Sequence, residues 1–136
     1  MKALIALAFL AAVSPAFAQD SDGPRKKAAM DKLQSEMTAC IVYYSIVKDC
    51  ADSNDPAMKH TDPIVDQLTG RSFSIGKSIG MSSDSMLARL KLMMDEQDTL
   101  MGKSCANVAS LHQRHASRCK QIVENPNAIL SEYLKQ

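Results

Sequence analysis

Four cysteines constrain this chain more than any other feature: Cys40, Cys50, Cys105 and Cys119. Their chemistry depends on the compartment, and residues 1–18 bear on that. Met1-Lys2 is a short positive start, Ala3 to Val13 is an apolar run, and Ser14-Pro15 breaks it. Ala16-Phe17-Ala18 then places small residues where signal peptidase cuts. The apolar run is too short to span a bilayer. We therefore expect a cleaved signal peptide over 1–18, a flexible N-terminus over 19–23, and an exported protein, periplasmic or secreted. In an oxidising compartment an even number of cysteines in a chain this short reads as two disulfides. Residues 24–136 are one domain by length, of a size at which staples usefully support a modest core.

The fold class follows from periodicity. Pro24 suits the first turn of a helix, where its missing N–H is no loss. Apolar residues then fall at Met30, Leu33, Met37, Cys40, Tyr44, Val47 and Ala51, alternating steps of three and four. This predicts a helix from Pro24 to Cys50. Ala51 to Asp62 is a polar break with two Asp-Pro steps, which a helix cannot cross. Thr61 or Asp62 can cap a second helix with Ile64, Val65 and Leu68 on one face, and Gly70 is a candidate stop. Residues 71–81, with Ser-Ile-Gly at 74–76 and again at 78–80, are compatible with a loop or with more helix. Ser82, Ser83 or Asp84 caps a third helix whose seam is Met86, Leu90, Met93, Gln97 and Leu100. Gly102 ends it, and Ser104 caps a fourth helix carrying Cys105, Val108, His112, His115, Cys119 and Ile122 at helical steps. One helix from Ser83 to Glu124 would be roughly 60 Å long, too long for a domain of this size. Pro126 to Leu134 fits a short last helix. The expectation is an all-α, up-and-down bundle of about four helices, stapled by disulfides.

Helical spacing limits how the cysteines pair. Cys40 and Cys50 sit roughly 15 Å apart along one helix, and Cys105 and Cys119 roughly 21 Å along another. A disulfide needs Cα atoms within about 7 Å, so each bridge must join the first helix to the fourth. An up-down-up-down order makes these helices antiparallel and pairs Cys40 with Cys119 and Cys50 with Cys105. A three-helix arrangement makes them parallel and pairs Cys40 with Cys105 and Cys50 with Cys119. We favour the first.

Composition excludes several functions. Lys2 is the one charged residue of the signal, so its removal leaves the 16 Lys and Arg one fewer, equal to the 15 Asp and Glu. A nucleic-acid binder usually shows a basic excess, and we expect none bound. C-x-x-C is absent, and exported thiols oxidise, so the cysteines read as bridges rather than as ligands with His112 and His115. C-x-x-C-H is absent too, which rules out c-type haem. Haem b held by Met30 or Met37 and His115 is opposed by the favoured pairing, which sets His115 opposite Tyr44. Gly76-Lys77-Ser78 lacks the leading glycine of a phosphate loop, since position 71 is Arg. The methionines Met86, Met93, Met94 and Met101, with Met30 and Met37 opposite, read as gap-filling core rather than a copper site. Asp95, Glu96 and Asp98 read as a solvated surface, and no serine sits in a nucleophile elbow, so no enzyme is expected. No metal or cofactor is expected either.

In outline the chain is similar to the insect odorant-binding proteins. The interval from Cys50 to Cys105 is too long for them and the cysteines too few, so no family is assigned. Two functions suit such a chain. The first is an exported helical binding or interaction module with another protein as partner: an inhibitor, an immunity-type protein or a periplasmic accessory protein. The alternative is a carrier of a small apolar ligand or metal in the bundle core.

Overall fold

The protein is described here by a computed structural model covering residues 22–51 and 60–136. The signal peptide, residues 19–21 of the loose end, and residues 52–59 of the polar break lie outside the described residues. Five α-helices follow one another: α1 (Asp22–Cys50), α2 (Thr61–Ser78), α3 (Ser83–Leu100), α4 (Val108–Glu124) and α5 (Pro126–Leu134). Among the described residues there is no strand. The first helix starts at Asp22, so Asp22 and Gly23 are helical rather than part of a loose end.

The longest helix, α1, packs against each of the other four. Its seam residues Leu33, Met37, Cys40 and Val47 are buried, as the heptad spacing predicts, with Met30 and Tyr44 half-buried. Burial extends well beyond that seam, to Ala29, Gln34, Thr38, Val42 and Tyr43. A helix surrounded by neighbours needs no single apolar stripe. Cross-contacts give the directions. Lys48 pairs with Asp62 and Gln34 with Ser72, so α2 runs antiparallel to α1. Arg89 reaches Asp31 and Gln97 reaches Ala39, so α3 runs parallel to it.

Two bridges join α1 to the α4 segment: Cys40–Cys119, with Cα atoms 5.4 Å apart, and Cys50–Cys105, at 5.3 Å. This is the antiparallel pairing. The unequal spacings are reconciled because Cys105 lies outside α4. It sits in a single 3-10 turn, Cys105–Asn107, whose path is independent of the α4 axis. Ser104 caps that turn, accepting from the Ala106 N–H at 3.3 Å.

Gly70 does not stop α2, which continues to Ser78. A glycine inside a helix costs about 1 kcal/mol. Beyond it Ser72, Gly76 and Ile79 are buried, and that packing outweighs the local cost. Gly76 admits the side chain of Met86, whose sulfur occupies the space a Cβ would need there. The helix ends one repeat later. Gly80 adopts φ +84, Gly80 N–H donates to Lys77 O and Met81 N–H to Gly76 O. This is a Schellman motif. Gly102 ends α3 the same way, with φ +58, so no continuous helix runs from Ser83 to Glu124. Ser82 and Asn125 cap α3 and α5 through their side chains. The N-cap of α2 is His60, exposed and without a side-chain cap, rather than Thr61 or Asp62.

Two outcomes test this packing. Leu33 is 2 % exposed, and Leu33→Ala is expected to lower stability by about 2–5 kcal/mol. Leu90 is half-buried at a cleft, so Leu90→Ala should shift the urea midpoint visibly less. The bridges differ as well. Cys40 and Cys119 are sealed in the core, whereas Cys105 is exposed. Under mild reductant without denaturant, alkylation and peptide mapping should find Cys50–Cys105 opened well before Cys40–Cys119. Each bridge closes a long loop, and its loss should cost about 3–5 kcal/mol.

Candidate functional site

Where α2 and α3 diverge over α1, they leave an open cleft of about 220 Å³. Its walls are apolar: Ile41 from α1, Phe73 from α2, and Met86, Leu87 and Leu90 from α3. Phe73 and Leu87 form the rim and remain 43 % and 63 % exposed, large values for such side chains. Met94 lies two turns after Leu87 on α3 and is exposed too, so it is not core. Met37, Met86 and Met101 do fill the core, and Met30 and Met93 are half-buried.

The cleft floor is polar and closed on itself. Gln34, Thr38 and Ser72 are each almost wholly buried. The Gln34 amide donates to Thr38 Oγ1 at 3.2 Å and to Ser72 Oγ at 3.1 Å. Thr38 donates to the Gln34 carbonyl at 2.9 Å, and Ser72 can donate to Thr38 across 3.2 Å. Gln34 Oε1 accepts from Arg89, which also binds Asp31 Oδ1 at 3.0 Å. Every side-chain hydrogen of the three floor residues is thereby used. The floor welds α2 and α3 to α1 and has no donor left for a visiting group. An apolar side chain can sit between the walls without breaking any of these bonds.

A second cleft, of about 360 Å³, opens between α1, α2 and α5. Leu33 and Met37 lie at its base and Arg71 stands at its edge.

The histidines flank the buried bridge differently from the expected arrangement. His112 is exposed, and its Nδ1 lies 2.7 Å from the hydroxyl of Tyr43. His115 is half-buried, as its seam position implies, with its ring centroid 5.9 Å from that of Tyr43. Tyr43 therefore occupies the place the spacing assigned to Tyr44. Burial, and then the charge of Arg114, hold the His115 imidazole below its ordinary value. Cys119 is bonded to Cys40, so it cannot join the two histidines as a ligand. Among the described residues no three His, Cys, Asp or Glu side chains are placed to hold a metal ion.

Sequence reasoning missed two arginines. Arg118 donates to Glu36 at 3.0 Å, Glu132 at 3.2 Å and the Tyr133 hydroxyl at 2.6 Å, tying α4 to α1 and α5. Burial, and then hydrogen bonding with Glu36, push the Tyr133 phenol up to about 12. The Lys32 ammonium lies 4.3 Å from the centroid of the same ring. Arg118 was findable, because it adjoins Cys119 and Glu36 stands one turn from Cys40. Arg89 and the polar floor had one faint signal, Gln34 and Thr38 four residues apart beside the apolar seam. No family model, no curated protein and no solved structure matches this chain.

The depressed His115 value makes a pH prediction. The folded state disfavours the imidazolium, so the unfolded state takes up its proton first. That contribution is complete above the reference value of 6.5 and is lost as pH falls through and below it. Urea midpoints at about pH 7.5 and about pH 5.5 should show lower stability at the acid pH, and His115→Gln should flatten the difference.

Proposed function

We propose that the protein is an exported binding module that receives an apolar anchor side chain of a protein partner in the α1–α2–α3 cleft. Such a module is an inhibitor, an immunity-type protein or a periplasmic accessory protein. Export rests on the signal-like residues 1–18. The two disulfides accord with it. No helix among the described residues is long and apolar enough to cross a membrane. The role is binding rather than catalysis.

The observation that carries this reading is the pairing of an exposed apolar rim with a saturated polar floor. Phe73 and Leu87 expose area that burial by a partner would recover at roughly 25 cal/mol per Å². The cleft volume of about 220 Å³ is below the roughly 300–1,000 Å³ of pockets that enclose a small ligand, but suits one anchor residue. Aromatic and aliphatic anchors in such pockets dominate binding energy at protein interfaces.

A photo-crosslinking residue in place of Leu87, in protein expressed by its own source, tests the reading. A discrete protein adduct is expected at Leu87 and none at Lys120, an exposed position on α4. Excess wild-type protein should compete the adduct away, and the Phe73→Asp variant should not. Absence of an adduct, or equal competition by Phe73→Asp, would overturn it.

A further inference from the structure

We propose that the cleft between α1, α2 and α5 is a second binding site, for an aliphatic monocarboxylate of medium chain length. This does not rest on the partner proposed for the first cleft. The two clefts lie on either side of α2: Thr69, Ser72 and Phe73 face the first, and Arg71, Ser74 and Ile75 the second.

The second cleft has the polarity of such a ligand. Its base reaches the core at Leu33 and Met37, only 2 % and 1 % exposed. Met30, Ile75 and Leu130 extend the apolar lining towards solvent. Methionine is unbranched and adaptable, and suits a flexible alkyl chain. The polar groups gather at the edge, with Arg71 and Ser74 one turn apart on α2 and Asn127 facing them from α5. At about 360 Å³ the cleft falls within the range of small-molecule sites, roughly 300–1,000 Å³.

Arg71 selects the head group. Arg71 is the charged residue of this cleft's lining, and it has no ion pair among the described residues. Its neighbour is a neutral amide. With the Gln67 amide oxygen turned towards it, that oxygen accepts from Nη1 at 3.1 Å and Nη2 at 2.9 Å. Gln67 thus orients the guanidinium without neutralising it. A planar carboxylate matches one guanidinium in geometry and charge. A longer polar ligand would leave its groups unpaired against Leu33 and Met37.

Isothermal titration of the oxidised protein with dodecanoate, dodecanol and acetate provides the test. One dodecanoate is expected per chain. Dodecanol, and dodecanoate on Arg71→Gln, should bind about tenfold more weakly, and acetate should give no measurable heat. Ser74→Trp, which blocks the mouth, should abolish dodecanoate binding. Both substituted positions are exposed, so thermal melts should match wild type. Equal affinity of Arg71→Gln, or equal affinity for dodecanol, would overturn the carboxylate assignment. No dodecanoate binding would overturn the site. Binding kept in Ser74→Trp but lost in Leu87→Asp would place the ligand in the first cleft and overturn this one. The Leu87 crosslink reads the first cleft and is independent of the Arg71→Gln and Ser74→Trp arms.

Discussion

The buried bridge between Cys40 and Cys119 sets the register of α4 on α1, and much of the bundle follows from it. One turn before Cys40, Glu36 meets Arg118, the neighbour of Cys119. One turn after Cys40, Tyr43 meets His112 and His115. Ten residues beyond Cys40, Cys50 reaches Cys105 as the antiparallel order requires. Arg118 in turn holds Glu132 and Tyr133, so the bridge also fixes where α5 lies. Sliding α4 by one turn would break the covalent bond, the ion pair and the hydrogen bond together. Such concerted cost is what makes a single packing arrangement stand apart from its competitors.

The opposite side of α1 is specified by hydrogen bonds instead. Gln34, Thr38 and Ser72 would each be expensive to bury alone, because a lost partner leaves a desolvated group worth about 1–3 kcal/mol. Together they satisfy one another, and Arg89 closes the set at Gln34. A slip of α2 or α3 along α1 would orphan several polar atoms in a nearly dry environment. The apolar side chains there include Met86, Leu87 and Leu90, which tolerate many packings, so the polar floor contributes specificity that they do not.

Much of this was legible in the sequence, and the gaps have physical causes. Helix identity was clear where periodicity, caps and prolines agree, as at the Ser82 cap of α3 and over Pro126–Leu134. The bridge pairing was legible because helical rise forbids Cys40–Cys50 and Cys105–Cys119, which narrowed the answer to two. Gly70 misled because a local helix breaker says nothing about the burial of Ser72 and Ile79 beyond it. The two clefts were not legible at all. A cleft is a property of facing surfaces, and Phe73, Leu87 and Arg71 gain meaning only once α2 is placed against α1, α3 and α5. The heptad seam also marked too little of α1, because a central helix buries Gln34 and Thr38 off the seam.

The division between covalent and noncovalent ties bears on function. Both bridges link α1 covalently to the α4 segment, and neither has an end on α2, α3 or α5. Yet α2 lines both clefts, with α3 completing one and α5 the other. A domain this small with no tryptophan has limited apolar area to bury, and open clefts reduce it further. The bridges offset that deficit through the unfolded chain, without needing the clefts filled. They therefore allow surface-reaching apolar space that an unstapled bundle of this length would have to pack with side chains. On this argument the staples and the clefts belong together. The helices that complete the cleft walls, α2, α3 and α5, carry no bridge, while α1, which lines both clefts, carries two.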